Sequence, residues 1–256
     1  MSKKTYFASD FHLGAPARLS SEERERQLVG WMDQIRGDAE ALYLVGDLFD
    51  FWFEYRTVVP KGFLRFQAKL TEWRSAGIPI YFFTGNHDMW MFRYFEEELG
   101  IPVYREPIVR EIGGKTFYIG HGDGLGPGDK AYKLLKRVFA NPVAQWLFRW
   151  LHPDIGMWVA NSWSRRSRES PRDTRSFFGP EKEWLIAYSN AKLDTQPADF
   201  YIFGHRHLPI DYTLKNGTSR YINLGDWTHF NSYAAYDGTD VQISFFENPS
   251  ARVFPH

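Results

Sequence analysis

The sequence predicts an α/β fold (α+β by some schemes): two sheets packed as a sandwich, flanked by helices, with a helical insertion late in the chain. Three observations predict it. Apolar runs of strand length alternate with amphipathic helical stretches over the first part of the chain, as a parallel sheet requires. Gly-centred turns later separate short strand-like runs, the mark of hairpins. Between Gly122 and Phe203 lies a long stretch dominated by helical signals and divided by Pro142, Pro153, Pro171 and Pro180.

Thr5 to Ser9 reads as the first strand. Ser20-Ser21-Glu22-Glu23 has the spacing of a capping box, and Leu28, Trp31, Met32 and Ile35 follow at helical intervals, with Gly37 as the stop. Ala41 to Val45 is a continuous apolar run suited to burial on both faces of a sheet. Phe63, Leu64, Phe66, Leu70 and Trp73 trace a second amphipathic helix closed by Gly77, and Ile78 to Phe83 is the third strand. A further helix is expected near Met89 to Leu99. Hairpins are expected around Gly113-Gly114, Asn216-Gly217 and Asp237-Gly238, because these residues supply the positive φ angles of tight turns.

At 256 residues the chain can bury a sizeable core, and residues 1–256 read as one domain carrying an insertion. Lys plus Arg equal Asp plus Glu at 31 each, which argues against a nucleic-acid partner held by phosphate charge. The absence of Cys excludes disulfide scaffolds, thiolate metal sites and a Cys nucleophile. Met1-Ser2-Lys3-Lys4 leads into the first strand without an apolar signal region, and no stretch reaches the roughly 18 to 20 apolar residues of a membrane span. A cytoplasmic or peripheral protein with no obligate protein partner is expected. The insertion has its own character. From Gly122 to Phe178 there are ten basic residues against five acidic ones, together with Trp146, Trp150, Trp158 and Trp163, which makes it basic and aromatic in a neutral chain.

Five apolar runs end in metal-ligand side chains: Ala8-Ser9-Asp10-Phe11-His12, Val45-Gly46-Asp47, Thr84-Gly85-Asn86-His87-Asp88, Ile119-Gly120-His121 and Phe203-Gly204-His205-Arg206-His207. Such groups are expensive to bury without partners. One run alone would pass for a turn, but five at successive strand ends absorb five of the eight His residues. Converging at one sheet edge, they would form a dinuclear metal site, with Asp47 suited to bridge two cations and Asn86 offering a neutral oxygen. Nitrogen and oxygen donors without thiolate favour Mn first, with Fe, Zn or Co as alternatives. Two such ions activate water for in-line hydrolysis of a phosphoester or phosphoanhydride. His87 is read as a proton donor to the leaving oxygen, with Asp88 fixing its tautomer and orientation.

The ordered set Asp-x-His, Gly-Asp, Gly-Asn-His-Asp, His-Gly-Asp and Gly-His-x-His, spanning Asp10 to His207, resembles the calcineurin-like metallophosphoesterase superfamily. Within it, Ser9-Asp10-Phe11-His12-Leu13-Gly14, Gly46-Asp47-Leu48-Phe49-Asp50-Phe51-Trp52 and His121-Gly122-Asp123-Gly124 are similar to the UDP-2,3-diacylglucosamine pyrophosphatases of lipid A synthesis. The resemblance implies a four-layer α/β/β/α sandwich of two mixed sheets, with residues 125–178 as a helical cap that holds acyl chains. It implies release of UMP and diacylglucosamine 1-phosphate from a lipid-linked nucleotide sugar, by an enzyme peripheral on the cytoplasmic face of the inner membrane. By the same resemblance Asp10, His12, Asp47 and His207 hold one Mn, and Asp47, Asn86, His121 and His205 the other. Asp129, Tyr132 and the Ala160-Asn161-Ser162 run match substrate-contact positions, Arg165 and Arg166 fall where a polar or basic contact is expected, and Asn86, His87 and His205 are expected to meet the substrate as well.

One residue departs from that pattern. Well-known members of the pyrophosphatase family carry Arg after the Asn, where this chain has His87, the residue typical of the wider superfamily. His87 therefore keeps a second reading open, a phosphodiesterase or phosphatase acting on soluble nucleotides or other phosphoesters. A third, a non-catalytic scaffold, has no need of Asn86 and His87 together.

Overall fold

The strand and helix alternation at the start of the chain builds one half of a sheet. β1 (Lys4–Ala8), α1 (Ser21–Ile35), β2 (Ala39–Val45), α2 (Leu64–Ser75), β3 (Ile80–Phe83), α3 (Tyr94–Leu99) and the short β4 (Val103–Tyr104) follow in order, with the four strands parallel. β5 (Ile108–Ile112) and β6 (Lys115–Ile119) form a hairpin that opens a second sheet. Three helices come next, α4 (Lys130–Ala140), α5 (Pro142–Arg149) and α6 (Pro153–Arg168), the last two with Pro in the first turn, where its missing N–H is harmless. After α7 (Trp184–Lys192), β7 (Phe200–Phe203) lies parallel to β6. β8 (Pro209–Thr213) and β9 (Arg220–Leu224) form the second hairpin, and β10 (Ser232–Tyr236) and β11 (Val241–Phe245) the third. The computed structural model describes residues 3–128, 130–168 and 176–255, apart from the side chains of Ala131, Asn161 and residues 163–168.

The two sheets have strand orders β11-β10-β1-β2-β3-β4 and β5-β6-β7-β9-β8, and both mix parallel and antiparallel pairs. Side chains that alternate on β1 and β2 serve two cores. Phe7, Tyr43 and Val45 point between the sheets and meet Phe117, Ile202 and Ile222, while Tyr6, Leu42 and Leu44 point outward to Trp31, Met32, Leu70 and Trp73 of α1 and α2. On the far face of the second sheet Tyr118, Tyr201 and Tyr221 pack with Leu185 and Ile186 of α7. The layers are therefore helix, sheet, sheet, helix, and burial of the central strands on both faces explains their unbroken apolar runs.

Ser20 caps α1 with the full capping box expected of Ser20 and Glu23. The other helices on that layer depart from expectation. α2 has no side-chain cap of its own, and the buried Glu25 carboxylate of α1 accepts from the Phe66 amide at 3.0 Å instead. Leu64, counted in its apolar stripe, is exposed. α3 begins at Tyr94 rather than near Met89, because Trp90 pairs with Phe53 and the Glu54 carboxylate accepts from the Arg93 and Tyr94 amides at 2.6 and 3.1 Å. The two-residue β4 was not expected.

The helical insertion is docked by aromatic contacts. Phe148 of α5 lies 4.8 Å from the Phe53 ring and 4.7 Å from Trp90, and the Trp90 indole donates to the Phe139 carbonyl at 2.8 Å. Its remaining apolar surface faces outward: of fourteen large apolar side chains exposed among the described residues, eleven lie between Leu134 and Phe178. Phe148→Ala should weaken this docking by about 1–3 kcal/mol. The expected readout is faster limited proteolysis within residues 130–178, with the main unfolding transition unchanged.

Candidate metal centre

The central parallel strands of both sheets end on the same edge. β1, β2 and β3 lead into Asp10, Asp47 and Asn86, and β6, β7 and β9 into His121, His205 and Asp226. The chain leaves each strand sharply. Asp10, His12, Asp47, His205 and His207 all adopt left-handed backbone conformations, with φ of 57°, 45°, 53°, 66° and 56°. For residues with a Cβ this strain amounts to about 1–3 kcal/mol each, and it persists only where the surroundings enforce it. Two glycines make room for the crowding: a Cβ at Gly85 would land on the Asp47 carboxylate, and one at Gly204 would lie 2.5 Å from Asp10 Oδ2.

The result is a buried cluster of donor atoms aimed at one another. His207 Nε2 lies 3.2 Å from Asp10 Oδ1 and 3.3 Å from His12 Nε2, and His12 Nε2 lies 3.9 Å from Asp47 Oδ2. His121 Nε2 lies 3.3 Å from Asp47 Oδ2 on the other side, with His205 in the same group. Each carboxylate has one tied and one untied oxygen. Asp47 Oδ1 accepts from the His87 amide at 2.8 Å and Asp10 Oδ2 from the His205 amide at 3.0 Å. Asp47 Oδ2, Asp10 Oδ1, Asn86 Oδ1 and His121 Nε2 are buried without a hydrogen-bond partner in the protein. Such atoms are rare in folded proteins, and divalent cations satisfy all of them at once.

The electrostatics agree. Burial opposes charge on His121 and His207, yet Asp47 holds the first up at about 10 and Asp10, with Asp226, the second at about 9. Burial, and then the nearby His121, push His205 down to about 3 and keep its imidazole neutral. Asp47 stays well below the usual carboxylate range despite its burial, through His121 and His87. The two carboxylates thus hold positive charge on His121 and His207 against the cost of burial.

Around the donors the structure assigns further roles. His87 keeps its place beside the cluster, its ring 4.8 Å from that of His12, but Asp88 does not orient it. Asp88 Oδ1 accepts from the Gly85 amide at 2.7 Å and Oδ2 from the Leu48 amide at 2.8 Å, so it staples the two loops together. Burial, and then Asp47, push its carboxyl up to about 7. His87 is held by Asp50, whose carbonyl lies 3.0 Å and carboxylate 3.5 Å from Nδ1. Arg24, buried on α1, donates to the carbonyls of His12, Ala15 and Leu19 and clamps the loop after the first donor pair. Arg206, between His205 and His207, makes a buried ion pair with Glu183 at 2.9 Å and donates to the Ser176 carbonyl.

Asp226 and Asp50 were not among the expected site residues. Asp226 follows Leu224-Gly225 as Asp47 follows Val45-Gly46, so the pattern was present in the sequence. Of the expected contacts on the insertion, Tyr132 donates to Asp123 Oδ2 at 2.8 Å, with its ring 6.5 Å from His205, and Ser162 is exposed on α6. Asp129 and the side chains of Asn161, Arg165 and Arg166 lie outside the described residues.

Fold and donor set together define a hydrolytic centre of the two-cation type. The chain belongs to the calcineurin-like phosphoesterase family, which it matches over residues 3–209. It is 40% identical to the UDP-2,3-diacylglucosamine hydrolase of Porphyromonas gingivalis, covering 97% of this chain and 99% of that protein. It is 30% identical to a protein of the same name from Shewanella putrefaciens, over 93% and 96% of the two chains. A solved phosphoesterase from E. coli, Yfce, is more distant, with a TM-score of 0.47 and 17% identity over 95% and 93% of the two chains.

Asp47 belongs both to the group with Asp10, His12 and His207 and to the group with His121 and His205, so Asp47→Asn should deplete metal from both positions. Elemental analysis of dialysed protein is expected to show bound divalent metal falling by about 10-fold or more. Metal content equal to that of the parent would overturn the assignment.

Proposed function

We propose that the chain hydrolyses the diphosphate of UDP-2,3-diacylglucosamine to UMP and 2,3-diacylglucosamine 1-phosphate, a step of lipid A synthesis. The observation that carries this reading is the 40% identity to a hydrolase of that name, over 97% of this chain. Asp10, His12, Asp47 and His207 would hold one divalent cation, and Asp47, Asn86, His121 and His205 the other, with Mn as the proposed metal and Fe, Zn or Co compatible with the same mixed donors. When bound, the cations supply an activated water and neutralise charge that develops on the phosphoryl oxygens.

The protein's own groups do the positioning. The His87 Nδ1–H donates to the Asp50 carbonyl, and in this reading Nε2 is the ring atom that meets the substrate. Protonated there, His87 gives a hydrogen bond to a phosphoryl or leaving oxygen. Its backbone amide is pinned to Asp47, so the ring and the shared ligand move together. A sugar phosphate is already a good leaving group, and His87 then serves chiefly to bind phosphate. Asn86 and His205 meet the same phosphates.

Residues 125–178 form, in this reading, a cap for the acyl chains, with Asp129, Tyr132, Asn161, Ser162, Arg165 and Arg166 toward the substrate. Support comes from the composition and exposure of the insertion: Trp146, Trp150 and Trp158 stand out to solvent near Lys and Arg residues, as suits an enzyme working at the edge of an anionic bilayer. No helix among the described residues is long and apolar enough to cross a membrane. A peripheral position on the cytoplasmic face of the inner membrane fits both facts.

His87 favours one competing reading, hydrolysis of soluble phosphodiesters or monoesters. Incubation of the Mn-loaded protein with the lipid nucleotide, a cyclic nucleotide and an aryl phosphate separates the two. UMP release from the lipid nucleotide, detected by mass spectrometry and abolished by chelation, should be the fastest reaction; faster turnover of either soluble ester would move the protein to the second reading. Binding to anionic vesicles at low salt should accompany the first, and Trp150→Ser with Trp158→Ser should reduce it by about 10-fold or more in a sedimentation assay.

A further inference from the structure

The two donor groups differ in charge. On one side stand two carboxylates, Asp10 and the shared Asp47, with His12 and His207; on the other, Asp47 is joined by neutral Asn86 and two imidazoles. The difference deepens one layer out. His121 Nδ1 faces the Val45 carbonyl at 2.8 Å, a neutral partner. His207 Nδ1 faces the Asp226 carboxylate at 3.3 Å, and His12 Nδ1 lies 3.7 Å from the Asp50 carboxylate.

Asp226 is built to hold that position. It is buried at the end of β9, and its Oδ1 accepts from the His229 and Phe230 amides at 2.8 and 3.2 Å. Oδ2 accepts from the Thr228 hydroxyl at 2.7 Å and lies 2.9 Å from His229 Nδ1. The next residue, Trp227, donates its amide to the Asp10 carbonyl at 3.1 Å, so the segment that carries the carboxylate is tied to Asp10, the donor beside His207. A carboxylate on the far nitrogen of an imidazole keeps the proton on that nitrogen, turns the other lone pair inward and strengthens it as a donor.

We propose that Asp226 is a positioning residue for His207, and that it makes the Asp10, His12, Asp47 and His207 position the tighter of two unequal cation sites. The inference rests on the two-cation reading given above. Asp226→Asn is the discriminating change. The amide keeps an oxygen for the His229 and Phe230 amides, but it turns an NH2 group toward His207 Nδ1, which favours the tautomer whose proton sits on Nε2 and blocks coordination there.

The test is calorimetric titration of the chelator-stripped full chain with Mn alone. The parent should show two classes of site; Asp226→Asn should weaken the tighter class by about 10–100-fold and leave the weaker one within about 3-fold. His207→Ala should abolish the tighter class and His121→Ala should spare it, which keeps the question decidable if Asp226→Asn does not fold. Unchanged affinities in Asp226→Asn, or loss of the weaker class in His207→Ala, would overturn the proposal. A parent that binds no Mn would bring down the two-cation reading itself, and the proposal with it.

Discussion

The structure depends on a shortage of positive charge at the end of the β-sandwich. Two carboxylates and several imidazoles are buried together, each carboxylate has one oxygen engaged by a backbone amide, and the other oxygens face inward toward the imidazoles without a hydrogen bond to satisfy them. Left so, the arrangement would be unfavourable, because desolvated anions in close approach repel and lose their hydration. Divalent cations turn the same arrangement into a favourable one. The left-handed conformations of the ligand residues, the glycines that admit the Asp47 carboxylate and the Arg24 clamp on the loop after His12 all serve to hold this cluster in place.

Two parallel segments, one in each sheet, make the cluster possible. Parallel strands all end on one edge, so three loops from each sheet arrive at the same place from opposite sides of the inter-sheet core. The His121 ring bridges the sheets by reaching the Val45 carbonyl at the end of β2. The marginal strands β5, β8, β10 and β11 carry no metal donor of their own but complete the sheets. Their work is to bury Phe7, Phe117 and Phe200 between the layers, which keeps the two sets of strand ends in register.

Much of this was readable in the residues. The strands are buried on both faces and therefore spell continuous apolar runs, and each run stops at Asp, Asn or His for a reason no folding requirement supplies. What could not be read was set by tertiary contact. Asp88 is next to His87 in the chain, which suggested a pair, but the turn sends its carboxylate to Leu48 and Gly85 while Asp50, distant in sequence, reaches the ring. The start of α3 is likewise fixed by Glu54 from another loop, and α2 is capped by Glu25 from another helix. Asp226 repeats the Gly-Asp ending of β2, but nothing beside it in the chain shows that its carboxylate reaches the His207 ring.

The ion pair between Arg206 and Glu183 bears on how freely the family can exchange its accessory parts. Arg206 sits between two donor imidazoles, and its side chain crosses to the start of α7 and to the Ser176 carbonyl, where the chain returns from the insertion. The insertion is thus not a module that can be swapped at its two ends like a loop. Glu183 itself lies beyond the insertion, at the start of α7, so its substitution would remove the carboxylate that faces Arg206 inside the motif that supplies His205 and His207. A disturbance where the insertion rejoins the body is therefore felt at the donor imidazoles, because the Arg206 side chain links the two.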